Sequence, residues 1–304
     1  MQTRVTPVPV ELTVSYSEID TMRQCPLKHA LAYDERWVKD HSESSALGLG
    51  TLWHLVMEAH RTALARGASL PVAREAGMLV IQTQVTDPEV ADLLTWMYEG
   101  YLEKWGADRD WRILGTELAG DVLLPSPRGW PATELQFRLK FKIDLLFEWQ
   151  GRIWVLDEKS CKDLPKGNVD FDFDDQFGLY YWAATQLGYP VFGAMYSGAR
   201  KTRLQREMTL DERFARIPMH RNSAELRAVA EDAWQTAYFA YERIATVREA
   251  RVQGATNVEH ARHTNPRECK WKCDYRQACI MGRKGRNLRV YLASTGFRQD
   301  RSRH

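Results

Sequence analysis

Cysteines stand near both ends of this chain, and that placement constrains the fold more than any other feature. Cys25 lies in RQCPLKHALAY, while Cys269, Cys273 and Cys279 share one short run, CKWKCDYRQAC. Three thiolates so close together supply most of a Cys₄ centre, and Cys25 can provide the fourth ligand. A site assembled this way staples the first helix to the last segment, so the two ends of the chain must meet. The spacing suits either zinc or an iron–sulfur cluster. Cys161 stands apart from both groups.

The 304 residues are enough to bury a substantial core, and 44% hydrophobic with 27% charged residues is ordinary for a globular protein. No apolar run approaches a membrane span, and the opening MQTRVTPVPVEL lacks the apolar centre of a signal peptide. The expectation is a cytoplasmic protein with no membrane partner, in which cysteines bind metal rather than pair as disulfides. The net charge of +2 announces no nucleic-acid partner. Its distribution says more, because Arg283, Lys284, Arg286, Arg289, Arg298, Arg301 and Arg303 face Asp300 alone in the tail. Such a tail can follow phosphates, or can be a solubilising, partly disordered terminus.

Along the chain the pattern begins helical. Ser17, three residues before Asp20, predicts a helix start, and Pro26 ends or kinks that helix just after Cys25. A loop, DHSESSALGLG, leads into GTLWHLVMEAHRTALARG, whose apolar stripe Leu52, Leu55, Val56, Ala59 closes at Gly67. Two more helices are predicted over roughly 71–84 and 88–105. The period then changes to two: Leu135, Phe137, Leu139, Phe141 and Ile143 alternate with polar residues, which predicts a half-buried strand. Gln150–Gly151 makes a tight turn into RIWVLDEKS, its antiparallel partner. WRILGTELAGDVLLP reads as a preceding strand, DDQFGLYYWAATQLGYP as a helix, VFGAMYSGA as a buried strand, and Ser223 opens a long helix to about residue 251. No internal repeat and no Gly/Ser linker is visible. The expectation is one mixed α/β unit over 1–304: a mainly helical region at 1–110, a core at 111–222, and a long helix, cysteine segment and basic tail at 223–304.

The hairpin carries the chemistry. Parity puts Asp144 on the polar face of its strand, and Asp157 and Lys159, two residues apart, share a face on the next. Two carboxylates and one ammonium can therefore converge on one point. Carboxylate oxygens hold a hard divalent cation, which polarises a phosphate and lowers the pKa of a bound water, and a lysine can orient that water or offset developing charge. The competing reading is a surface ion pair beside a hairpin. Glu158 points to the other face by parity, so its backbone carbonyl rather than its carboxylate is expected near a metal. Trp53, Trp96, Trp105 and Tyr181 have two uses open, stacking on unpaired bases or filling the core.

In these residues the chain resembles the RecB-like branch of the PD-(D/E)xK nuclease superfamily. SYSEIDTMRQCPLKHALAY looks like that family's N-terminal Ser…CP…Tyr segment, and GTLWHLVMEAH resembles its Gly…His helix. FKIDLLF carries the aspartate, VLDEKS the acid–x–Lys element, and QFGLY the Gln-xxx-Tyr element. The resemblance implies that His54, Asp144, Asp157 and Glu158 form the metal site, and that Asp144, Asp157, Lys159, Gln176, Tyr180 and Glu117 form the catalytic set. Glu117 matches an acidic position on the strand before the metal aspartate. Gln176 and Tyr180, one helical turn apart, face the same way.

The cysteine pattern is similar to that of the iron–sulfur members: the AddB-type nuclease domain, CRISPR-associated RecB-like nucleases and viral exonucleases. It implies a [4Fe–4S] cluster on Cys25, Cys269, Cys273 and Cys279. The late trio departs from the usual CxxC start, which leaves a Cys₄ zinc site as the other use of the same ligands. The resemblance further implies a Mg²⁺- or Mn²⁺-dependent exonuclease acting on single-stranded DNA or DNA ends in recombination, repair or replication, with helicase or recombination proteins as partners. Two other readings are a structure-selective endonuclease and a non-catalytic DNA-binding subunit. The acidic run Asp170, Asp172, Asp174, Asp175 has no role in any of these.

Overall fold

In a computed structural model, the structure describes residues 10–40, 42, 44–106, 108, 110–131, 133–165, 174–255, 259–263, 269–270 and 273–300. In chain order the elements are β1 (Val10–Ser15), α1 (Tyr16–Gln24), α2 (Pro26–His29), a π-helical turn (Ala30–Asp34), β2 (Trp37–Lys39), α3 (Ala46–Ala65), α4 (Leu70–Gln84) and α5 (Pro88–Trp105). Then follow β3 (Arg112–Leu123), β4 (Leu135–Trp149), β5 (Arg152–Cys161), α6 (Asp175–Gln186), β6 (Val191–Arg200), α7 (Leu210–Arg213), β7 (Phe214–Met219) and α8 (Ser223–Val252). The chain closes with α9 (Arg276–Arg283), α10 (Leu288–Ser294) and β8 (Phe297–Gln299). The fold is mixed α/β, built on a central mixed sheet flanked by helices. Two compact units divide it, one of residues 1–40, 123–139 and 231–304, the other of 41–122 and 140–230.

The second unit contains the order β3-β4-β5-β6-β7. β4 and β5 are antiparallel and paired from Leu145↔Leu156 to Trp149↔Arg152. Gln150 and Gly151 both adopt positive φ, 52° and 72°, which is the two-residue turn whose twist matches that of paired strands. β5 and β6 are parallel, with Asp157 opposite Tyr196 and Lys159 opposite Gly198. A parallel pair needs a crossover, and α6 supplies it. β7 closes the edge antiparallel to β6. α3 packs against the face of β5 that carries Glu158, and α6 against the face that carries Asp157 and Lys159. A helical core lies beside the sheet, where Trp53, Val56, Met57, Leu94, Met97, Tyr98 and Tyr101 are essentially solvent-free. Trp53 and Tyr181 are thus core residues, and Trp96 and Trp105 pack against the same cluster, so none of the four forms an exposed stacking platform.

The first unit joins both ends of the chain. β2 pairs antiparallel with β8, from Trp37↔Gln299 to Lys39↔Phe297. Leu27, Leu31, Trp37, Tyr275, Leu288 and Leu292 form its apolar centre, and the Tyr275 hydroxyl donates to the Trp37 carbonyl. Most of the basic tail is therefore folded: Arg289 is held by Glu35 and Glu259, and Arg298 by Asp40. Of the two readings left open for the tail, a disordered terminus does not describe residues up to 300; Arg301 and Arg303 lie outside the described residues.

Two helix starts also differ from expectation. Ser15, not Ser17, caps α1 and accepts the Glu18 N–H at 3.2 Å, because it is Ser15 that retains the extended backbone a cap requires. α3 begins inside the expected loop, at Ala46, since Ser45 caps it by accepting the Gly48 N–H at 3.0 Å. α7 and β7 have no counterpart in the sequence reading; they are short, and only tertiary pairing defines them.

The buried His60 ring lies 2.8 Å from the Tyr98 hydroxyl. Burial lowers its pKa, the neighbouring Arg61 adds to this, and the result is about 4. Below the ordinary value of 6.5 the unfolded chain takes up a proton that the folded chain refuses. Stability from this residue is full above that value and is lost as pH falls toward 4. Wild-type protein should lose on the order of 2 kcal/mol more unfolding free energy than His60→Gln between pH 7 and pH 5. Urea unfolding of both proteins at the two pH values measures the difference.

Candidate active site

The site forms where the β4–β5 ladder stops. Its last regular pair is Leu145↔Leu156, and the next N–H on β5, that of Glu158, is accepted by Asp144 Oδ2 at 2.7 Å. A side chain thus takes the place of a backbone partner. The same Asp144 oxygen lies 3.3 Å from His54 Nδ1, delivered by α3. Asp157, the following carboxylate on β5, is 5% exposed. Its Oδ1 accepts Gln176 Nε2 at 3.0 Å, and its Oδ2 faces Lys159 Nζ at 2.6 Å without satisfying hydrogen-bond geometry.

Gln176 links the parts. Its Oε1 accepts the Lys159 ammonium at 2.8 Å, while its Nε2 donates to Asp157 and, at 3.2 Å, to the Tyr180 hydroxyl. α6 sets this orientation at its first turn. Asp174 caps the helix, accepting the Gln176 N–H at 2.9 Å, and Arg221 holds the Asp174 carbonyl at 2.9 Å. Part of the acidic run therefore has a positional role as a helix cap. Asp170 and Asp172 lie outside the described residues.

Electrostatics separate the two aspartates. Burial pushes Asp144 up, but the bond to His54 and the Glu158 N–H overcome it and hold the carboxyl below its usual range. Burial raises Asp157, with Lys159 opposing and Asp144 reinforcing, and its pKa reaches about 6. Burial pulls His54 down, yet Asp144 and the nearby carboxylates leave it above the ordinary histidine value. Lys159 likewise ends above its usual value, since Asp157 outweighs the cost of its burial.

Glu117 sits in the middle of β3 with φ +49°, a left-handed conformation that costs a non-glycine residue about 1–2 kcal/mol. It is paired with Lys142, and burial and the charge of Asp144 raise its pKa. Two residues near the site escaped the sequence reading. Lys142 shares the Asp144 face of β4, and the strand's period of two was the signal that could have found it. Glu58, one turn after His54 on α3, interacts electrostatically with Glu117 and Lys142. Glu158 turns its carboxylate to the opposite face, where it pairs with Arg61.

The donor set of one imidazole and two buried carboxylates is chemically suited to a hard divalent cation. Asp157, deprived of water and raised in pKa beside a second carboxylate, is a group that a cation would stabilise in its charged form. Among the described residues no three such side chains converge on one centre; His54 and Lys159 pair with the carboxylates, and Gln176 donates a hydrogen bond to Asp157.

The cysteines meet in the first unit. Cys25, Cys269, Cys273 and Cys279 line one cavity of about 160 Å³, shared with Lys28 and Arg276. All are free thiols, and burial raises the pKa of Cys273, with Cys269 and Cys25 adding to it. Four thiols are the donor chemistry of a tetrathiolate iron–sulfur cluster or zinc site, but among the described residues they line the cavity without converging into a metal-holding group. Cys161 belongs to the other unit, at the end of β5, where the Tyr196 hydroxyl donates to it at 3.6 Å.

A mixed sheet that presents an acid–x–Lys strand beside a second aspartate and a helix histidine defines a class of phosphodiester-cleaving proteins. The chain belongs to the PD-(D/E)XK nuclease superfamily, whose profile matches residues 13–280. No curated protein sequence matches it. Among solved structures, a putative exonuclease from Eubacterium rectale is similar at 14% identity, with 86% of each chain covered and a TM-score of 0.39. An alkaline exonuclease from Laribacter hongkongensis is similar at 10% identity over 67% of this chain and 98% of its own, with a TM-score of 0.25. At such scores these likenesses carry no weight for activity. No helix among the described residues is long and apolar enough to cross a membrane.

Because the Lys159 ammonium lowers the Asp157 pKa, Lys159→Met should move that carboxyl above its present value of about 6. Carboxyl ¹³C NMR titration measures this. An unchanged value would mean that another group balances Asp157.

Proposed function

We propose that this protein is a divalent-metal-dependent DNA exonuclease, acting on single-stranded DNA or on DNA ends, with a structural [4Fe–4S] cluster. The observation that carries this reading is the continuous linkage Tyr180–Gln176–Asp157/Lys159, which sits beside the His54–Asp144 pair. A surface ion pair needs no such network, and a subunit without catalysis has no physical use for a half-exposed ammonium held between a buried carboxylate and an amide.

His54, Asp144 and Asp157 would hold Mg²⁺ or Mn²⁺, with the Glu158 carbonyl as a further donor. The bound cation supplies positive charge to the phosphate and acidifies water. The chain's own groups do the rest. Lys159, kept charged by its raised pKa and 35% exposed, can reach a substrate phosphate and offset charge that develops there. Gln176 fixes Lys159 and Asp157 at once, and Tyr180 fixes the Gln176 amide. Glu117, with Lys142, is assigned to orienting DNA at the edge of the site.

Cys25, Cys269, Cys273 and Cys279 would hold the cluster, as the shared cavity supports. Closing a link between the first helix and the last segment restricts the unfolded chain, and binding to the folded form alone adds to stability. The DNA-repair, recombination or replication setting, and a helicase or recombination partner, rest on the family resemblance. So does the placement in the iron–sulfur RecB-like branch.

Cleavage of end-labelled single- and double-stranded DNA tests the activity. Mononucleotides released from one end with Mg²⁺ or Mn²⁺, and nothing with EDTA, is the expected result; internal fragments would make the protein an endonuclease. Asp144→Asn and Lys159→Met should each lower the rate at least about 100-fold without unfolding the protein. Anaerobically purified protein should contain iron and sulfide at about four each per chain. Cys25→Ser should lose both, whereas Cys161→Ser should keep them. One zinc per chain and no sulfide would replace the cluster with a zinc site.

A further inference from the structure

Behind the candidate site, on the opposite face of β5, lies a second set of charges that no step above uses. Glu158, 1% exposed, is paired with the guanidinium of Arg61, itself 2% exposed. Arg61 also donates to the Tyr101 hydroxyl at 3.1 Å and lies 3.9 Å from Asp108. Tyr101 donates to Asp108 at 2.6 Å, and Arg216 of β7 closes the network onto both. Two guanidinium groups, two carboxylates and a phenol are thus buried together with charges balanced.

Stability alone does not account for such a network. Desolvating the ions offsets most of their attraction, and apolar replacements of similar volume usually do as well. Its position is more informative. Arg61 follows His54 on α3 by two helical turns, so both project from the same side of that helix. Glu158 lies between Asp157 and Lys159 on β5. Its backbone N–H is the one accepted by Asp144 of β4. The side chains proposed to hold metal come from α3, β4 and β5; Glu158 of β5 is bonded to β4 through its N–H and to α3 through its carboxylate, and His54 and Asp144 join α3 to β4. If it shifts, the distance from His54 to Asp157 shifts with it.

We infer that Glu158 and Arg61 are positioning residues that set the affinity of the site for its divalent cation by locking α3 to β5. Arg61 contributes a planar fork that lysine cannot reproduce. The inference rests on the metal reading given above. Loss of such a supporting contact typically weakens metal binding about 10–100-fold.

Mn²⁺ binding to the full-length, anaerobically purified protein, followed by the loss of the free-ion EPR signal, tests this without requiring activity. Glu158→Gln should raise the Mn²⁺ dissociation constant at least about tenfold, and Arg61→Lys should raise it as well. Arg216→Lys, which disturbs the same network away from the α3–β5 link, should lower the melting temperature and leave Mn²⁺ binding within about twofold of wild type. A purely structural role would lower melting temperature in all three and change Mn²⁺ affinity in none, and that result overturns the inference. Should Glu158→Gln fail to fold, Arg61→Lys decides by the same criterion. Asp144→Asn separates the two claims. If it binds Mn²⁺ like wild type, the metal reading fails and this inference with it; if it loses Mn²⁺ while Glu158→Gln keeps it, only the inference fails.

Discussion

The Asp144 carboxylate accepting the Glu158 N–H is the contact on which the rest of the site depends. It occurs where two strands separate, and it substitutes a side chain for the backbone carbonyl that a continuing ladder would have offered. A buried N–H left unpaired there would cost about 1–3 kcal/mol. The aspartate is therefore required by the fold as well as available for chemistry. Its low pKa follows from the same bond and from His54, while Asp157, more deeply buried and beside another carboxylate, titrates at about 6. One hairpin thus presents two aspartates of different character, one held charged by its partners and one whose charged form burial disfavours.

Much of this arrangement was legible in the sequence because it depends on local periodicity. A period of two on each strand determines that Asp157 and Lys159 face α6 and that Glu158 faces away. A spacing of four on a helix brings Gln176 and Tyr180 together. Gln150–Gly151 fixes the register between the strands. The mixed α/β fold was readable for the same reason. The hidden parts arise from tertiary context. Arg61, Tyr101, Asp108, Glu158 and Arg216 come from five places along the chain, and each by itself looks like an ordinary surface residue; only packing shows that they meet out of water. Lys142 was legible by parity, but its partner Glu117 depends on a left-handed residue in mid-strand, which no local pattern announces.

The cysteine-bearing unit follows a different logic. It is assembled from three separate stretches of chain and has a modest apolar centre, with β2–β8 pairing and the Arg289 ion pairs holding its ends. Four thiols facing one cavity would add a cross-link where apolar burial is limited. Their cavity also carries the cations Lys28 and Arg276. Cys161, half-buried at the end of β5 in the other unit, contacts the Ala199 carbonyl and the Tyr196 hydroxyl.

The central claim is that His54, Asp144 and Asp157 together hold a divalent cation. The most direct measurement is anomalous X-ray scattering from crystals soaked in Mn²⁺. The account predicts, apart from any signal of iron or zinc at the cysteines, one strong manganese peak at about 2.0–2.4 Å from an imidazole nitrogen of His54 and from oxygens of Asp144 and Asp157, a distance range ordinary for hard cations on oxygen ligands. Glu158 should still be paired with Arg61. A peak bound by the Glu158 carboxylate, or no peak at the hairpin under conditions that support cleavage, would contradict it.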